Sequence, residues 1–237
     1  DVGYTLIDKI TDEREMKTKL GLDPARQSAR QVAISVARGT THIRSHVDID
    51  TVHGLKGVEG VMATREKYKD FIDIEIVAFP QSGMMIRPGT AELMDEALSM
   101  GAEVVGGLDP SSMDKDPKGQ LDAIFALAVK HGKPLDIHLH EPGELGLFTM
   151  GMIVERTKAH GLAGKVTISH AFCLGHNDYL VVGRMLEDLA TNDIAVMTTG
   201  PSGWPCPPLI RTLDAGIIVG SGSDGIRDCG HPWGTGD

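Results

Sequence analysis

The residues with the clearest chemical content lie in LDIHLHE, residues 135–141. In a strand alternate side chains share a face, so His138 and His140 point to one side while Leu139 points to the other. Glu141 comes where the strand gives way to loop. A neutral imidazole is a good ligand for zinc or ferrous iron. A glutamate three residues after such a ligand can carry a proton to or from a metal-activated water. The same string also fits a polar strand end on a surface. His170 ends another strand, in TISHAF, and Asp224 closes VGSGSD. Taken singly, a strand histidine is more often a hydrogen-bonded core residue, and an Asp after Gly-Ser is more often a cap or turn residue. What counts is convergence: three separate apolar runs each end on a side chain that can hold a metal or a proton.

Gln81 follows IVAFP and also stands at a run's end. A carboxamide offers donors and an acceptor, which suits an amide-like or heterocyclic substrate. A loop residue bonded to backbone is the equal alternative. Trp233, in HPWG, can stack on a planar ring or pack on the rim of the fold. His46 and Asp48 fall on one face of HIRSHVDI and read as polar residues lining or supporting a pocket. His42, His53, His131, His160 and His176 read as surface or helix-end residues.

Seven short apolar or β-branched runs must position these groups. They span 42–49, 72–80, 102–109, 134–141, 165–172, 193–200 and 216–224. Their starts recur at the length of a strand, a loop and a helix. Between them, Leu121, Ile124, Phe125, Ala128 and Val129 make one apolar helix face, stopped by Gly132. Leu93, Ala97 and Met100 behave similarly before Gly101, and 26–37 and 179–189 also read as helices. The stretch 200–208, GPSGWPCPP, reads as a loop. Such alternation implies parallel strands joined by crossover helices. A doubly wound sheet often brings a glycine-rich phosphate loop, and no GxGxxG opens a helix here. A barrel collects residues from the C-terminal ends of many strands. Gln81, Asp109, His138, Glu141, His170 and Asp224 all sit at such ends. The expected fold is therefore an α/β, TIM-type (β/α)8 barrel of the metal-dependent hydrolase kind. It forms a single domain over 1–237, with seven of eight strands visible and the first strand missing.

Composition narrows the class. The 237 residues carry a formal net charge of −10, with no basic block, so a nucleic-acid surface is excluded. Three cysteines, Cys173, Cys206 and Cys229, form no CxxC pair, which indicates a reducing, cytoplasmic setting without a disulfide framework. No apolar stretch approaches the ~20 residues of a membrane span.

Together, THIRSHVD, DIEIVAFPQSG, LMDEALSMGAEVVGG, DIHLHE, VTISHA and GSGSDGIRD followed by PWGTGD resemble the bacterial cytosine deaminases of the amidohydrolase superfamily. The N-isopropylammelide hydrolases, which act on triazines, are similar too. The resemblance runs in order over nearly the whole chain. It implies that His138 is a metal ligand, that Glu141 is the acid/base and that His170 holds the attacking water. It makes Asp224 both a metal ligand and a proton acceptor, and has Gln81 contact the substrate ring. His140 and Trp233 are read as further substrate-binding residues. The family takes two more ligands from an HxH on its first strand, and no such strand precedes Asp1. It also continues past Asp237 into a small β-sandwich. The resemblance thus implies a fragment of a longer chain. The family often has an acidic residue or Asn after the ligand Asp, where this chain has Gly225. Binuclear relatives place a bridging lysine at the strand that here reads VVGG, so one divalent metal ion, zinc or iron, is expected.

The implied chemistry is hydrolytic deamination of a planar nitrogen heterocycle such as cytosine or a related pyrimidine or triazine. One rival is release of an alkylamine from a substituted triazine, or opening of a cyclic amide. Another is a metal-free barrel that only binds a ligand. The expected partner is a small heterocyclic substrate, with no membrane; a homo-oligomer is compatible with all three readings.

Overall fold

The computed structural model describes residues 5–200 and 205–225. They fall into two compact units. One is the chain up to Glu103 together with the residues from Ser223 onward, and the other is Val104–Gly222.

In the first unit, α1 (Leu6–Leu20) starts at a capping box in which Thr5 and Asp8 satisfy each other's end of the first turn. Helix α2 (Pro24–Ala37) starts with Asp23 accepting from the Ala25 and Arg26 amides and with proline in its first turn. Strand β1 (His42–Asp48) pairs in parallel with β2 (Asp73–Phe79), and α3 (Lys56–Tyr68) crosses between them. Helix α4 (Thr90–Met100) ends on Gly101 in the left-handed region, the expected stop. Its buried face is Thr90, Met94, Ala97 and Leu98. Met100, expected on that face, is exposed, because at 3.6 residues per turn it points well around the helix from that stripe.

In the second unit, β3 (Val104–Leu108), β4 (Leu135–His138), β5 (Val166–Ser169), β6 (Ile194–Thr198) and β7 (Val219–Ser221) pair in parallel, each with the next in the chain. Helices α5 (Pro117–His131), α6 (Gly143–His160), α7 (Tyr179–Thr191) and α8 (Leu209–Asp214) carry the crossovers. Five strands in chain order, with no reversal, are barrel-type winding rather than doubly wound winding. Every residue of β3 is buried, and so are Leu135 and Ile137 on β4, as parallel strands covered on both faces require. Helix α5 buries Gln120, Leu121, Ile124, Phe125 and Ala128, while Val129 faces out. A Cβ on Gly107 would lie 2.8 Å from the Ile124 side chain, so glycine lets α5 close on β3. Each fully buried aliphatic side chain in this layer contributes about 1.5–3 kcal/mol. Among the described residues no helix is long and apolar enough to cross a membrane.

Candidate active site

Strands β4 and β5 are neighbours in register, His138 opposite Ser169. That register brings His170, one residue past β5, level with the end of β4. The rings of His138 and His170 lie 4.8 Å apart at 63°, and those of His140 and His170 lie 4.1 Å apart at 36°. His138 and His140 are 5.7 Å apart. Phe172 borders the group, 5.4 Å from His170 and 5.7 Å from His140. Three imidazoles thus meet at the C-terminal ends of two adjacent parallel strands. Beneath them, Ser169 Oγ donates to the fully buried Asp136 at 2.6 Å.

His140 reaches this group from outside the strand. Alternation in LDIHLHE suggests a strand through His140, but β4 ends at His138. The Leu139 amide still donates to Ser169 O at 2.9 Å. The next amide, of His140, instead donates to Asp109 Oδ1 at 2.7 Å, and so leaves the ladder. Asp109 Oδ2 takes the same residue's ring Nδ1 at 2.8 Å. Asp109 is buried just past β3, with φ at 38°, a left-handed conformation that Asp tolerates better than most residues. Its own amide donates to His138 O at 3.0 Å.

Glu141 is buried, and its carboxylate is well supplied with donors. Oε1 accepts from the Ser111 and Ser112 amides, both at 2.7 Å, and Oε2 accepts from Thr149 Oγ1 at 2.5 Å. One side chain therefore ties the β3–α5 connection to α6. Helix α6 approaches so closely that a Cβ on Gly146 would lie 2.0 Å from Glu141 O and 2.6 Å from Cys173 Cβ.

His170 is placed by backbone instead. Its φ is 70° and that of Ala171 is 50°. The His170 amide donates to Met197 O at 2.8 Å and the Ala171 amide to Ser169 O at 3.0 Å. Two adjacent non-glycine residues in this region cost of order 1–3 kcal/mol each and cluster at functional sites. They swing the chain from β5 into the 3-10 turn Phe172–Gly175. In that turn, burial pushes the Cys173 thiol up to about 12, so it stays protonated and unreactive at neutral pH.

Asp224 stands three residues past β7 at φ 55°, exposed, and groups with the first unit. Gln81 follows β2 in the first unit, its amide donating to Phe79 O at 3.0 Å. His46 packs edge-on to Phe79 at 5.2 Å. Asp48 pairs with Lys17 Nζ at 2.5 Å; burial pushes its carboxyl up, and Lys17 opposes that. Trp233 lies outside the described residues. No motif points to Thr149 or Lys17, and Asp109 stands out in the sequence only as a polar strand end.

The half-buried His138 and the buried His170 form an imidazole pair suited to zinc or ferrous iron. The profile of the Amidohydrolase family matches residues 25–235. The chain belongs to the amidohydrolase family. This amidohydrolase is 36% identical over 204 residues to the N-isopropylammelide isopropyl amidohydrolase of Pseudomonas sp. (strain ADP), covering 86% of this chain and 51% of that protein. Among solved structures, it matches N-isopropylammelide isopropylaminohydrolase from Burkholderia multivorans with a TM-score of 0.92 and 42% identity, over 95% of this chain and 58% of that one. It matches 5-methylcytosine deaminase from Klebsiella pneumoniae, liganded with 5-fluorocytosine, with a TM-score of 0.84 and 27% identity, over 98% and 60%. The resemblance read from the motifs is upheld on both of its branches. The chain spans about half the length of the curated relative.

Proposed function

We propose that this chain carries the central part of a mononuclear hydrolase centre that removes an amino substituent, NH2 or NHR, from a planar nitrogen heterocycle. The observation that carries the reading is the meeting of His138, His140 and His170 at the ends of β4 and β5. His138 would hold one divalent ion, zinc or iron. When bound, such an ion supplies a water ionised near neutral pH. His170, fixed by its backbone, orients the attacking water and accepts its proton. Glu141 passes a proton to the ring nitrogen beside the carbon under attack, which keeps charge from building on the ring. His170 then gives its proton to the exocyclic nitrogen, the C–N bond breaks to release NH3 or RNH2, and the new hydroxyl returns its proton to Glu141 as the carbonyl forms. Phe172 and the strand ends keep bulk water from the reacting face. The resemblance gives Asp224 a ligand and proton-accepting role, and Gln81 and Trp233 contacts to the ring. Those three assignments rest on the sequence pattern.

Release of an alkylamine from a substituted triazine is the second reading, favoured by the 42% identity and 0.92 TM-score with the Burkholderia enzyme. A panel assay tests both. The purified protein, loaded with zinc or ferrous iron, is offered cytosine, 5-methylcytosine, pterin and N-isopropylammelide while ammonia and isopropylamine are measured. Ammonia from a pyrimidine or pterin supports deamination, and isopropylamine supports the second reading. Neither amine, with either metal, overturns both and favours a ligand-binding barrel.

A further inference from the structure

Asp109 grips His140 twice, and the two grips have different consequences. Oδ1 takes the backbone amide at 2.7 Å and Oδ2 faces ring Nδ1 at 2.8 Å. The first contact fixes where the residue stands. The second fixes which ring nitrogen carries the hydrogen, because a carboxylate oxygen facing Nδ1 requires an Nδ1–H donor. In the neutral imidazole the other nitrogen, Nε2, is then an acceptor. The ring is about a quarter exposed and packs against His170 and Phe172, so it borders the same mouth as the proposed reacting groups.

We propose that Asp109 is a positioning residue that sets the tautomer of His140, so that Nε2 accepts a hydrogen bond from an N–H of the heterocycle, either a ring N–H or its exocyclic amine. This inference deepens the heterocycle reading and rests on it. It makes the Asp109–His140 pair a specificity device that selects rings bearing a donor at that edge and disfavours rings whose corresponding nitrogen is alkylated. A site built around an acceptor loses much of its affinity when the ligand lacks the matching donor.

Asp109→Asn tests the idea with little change of shape. Asn is at ease at positive φ, so the backbone at 109 tolerates it. Its Oδ1 keeps the His140 amide, while Nδ2 turns a donor toward Nδ1. The hydrogen must then move to Nε2, and the acceptor becomes a donor, as when a carboxamide replaces the carboxylate behind a catalytic histidine.

The direct readout is 15N NMR of histidine-labelled protein, which distinguishes the two tautomers without any turnover. The wild type is expected to show His140 as the Nδ1–H form and Asp109→Asn as the Nε2–H form. The Nε2–H form or an imidazolium in the wild type overturns the proposal, even if the variant fails to fold. The second readout is binding of cyanuric acid and of its fully N-methylated derivative, which keeps the ring and carbonyls but has no N–H. The wild type is expected to prefer cyanuric acid at least tenfold, and Asp109→Asn to shrink that preference about tenfold. An unchanged preference overturns the substrate contact. If the tautomer switches as expected but neither ring binds either protein, the heterocycle reading fails and the contact falls with it, while Asp109's hold on the tautomer stands.

Discussion

Past β4, the residues that matter are held by side chains; past β5, they are held by backbone. Asp109 grips His140, and Glu141 is gripped by Ser111, Ser112 and Thr149. His170 is set by its left-handed backbone and by its amide bond to Met197 O. The two devices respond differently to mutation. A clamp made of side chains can be loosened one hydrogen bond at a time. A strained backbone is tolerated as a whole or lost as a whole, since its neighbours over-determine it.

The largest effect is expected from Glu141→Gln. Its amide keeps most of the tie to Ser111, Ser112 and Thr149 but cannot donate or accept a proton in turnover. The rate should fall by about 10²- to 10⁴-fold, the usual worth of general acid–base help, with metal content by elemental analysis unchanged. Substantial turnover in this variant would reduce Glu141 to an anchor of the β4 exit.

Next comes Ala171→Val, which tests the backbone device at β5. Ala171 is fully buried with φ at 50°, where a β-branched residue is a genuine outlier. Strain and overpacking together should cost about 3 kcal/mol in denaturant unfolding. Ala171→Gly removes the strain and should hold or slightly raise stability. If valine costs less than glycine gains, the backbone is not what sets His170. Thr149→Val should then cost about 1 kcal/mol, because it removes one hydroxyl from a clamp that keeps two backbone donors. A loss as large as that of Ala171→Val would erase the contrast between the exits.

The smallest effect belongs to a third exit, that of β1. There Asp50 accepts the Val52 and His53 amides at 2.7 and 2.8 Å. Burial pushes the Asp50 carboxyl up, but those amides and the His53 ring outweigh it and leave it below the usual range. A depressed carboxyl contributes stability above its unfolded value, near ~3.9, and loses it as pH falls through the lower folded value. Urea unfolding should show Asp50→Asn less stable than wild type at pH ~6, with the gap closing below pH ~4. A gap that widens with acid would reverse the sign assigned here.

Much of the fold was legible because parallel strands buried on both faces read as apolar runs, and all seven runs contain a strand. Gly101 and Gly132 marked helix ends because each takes the left-handed cap that glycine favours. The strand ends were less legible. Alternation carried β4 through His140, yet an aspartate more than thirty residues earlier draws off the His140 amide, and the strand ends at His138. No local pattern encodes that. The histidines were found by type and position. The residues that fix them, Asp109 and the donors around Glu141, belong to other connections and carry no motif. Lys17 on Asp48 is the same case in the first unit: a helix residue that spacing could not join to a strand end.

The bare α-carbon at Gly146 bears on how this site could be re-engineered. With no room for even a methyl group against the Glu141 carbonyl, the short passage from β4 into α6 cannot shift to admit a different ring. A library randomised across that passage should return glycine at this position from every folded member. Breadth of substrate would then have to come from other loops, and diversity is best spent on the turn beyond β5 and on the segments that follow.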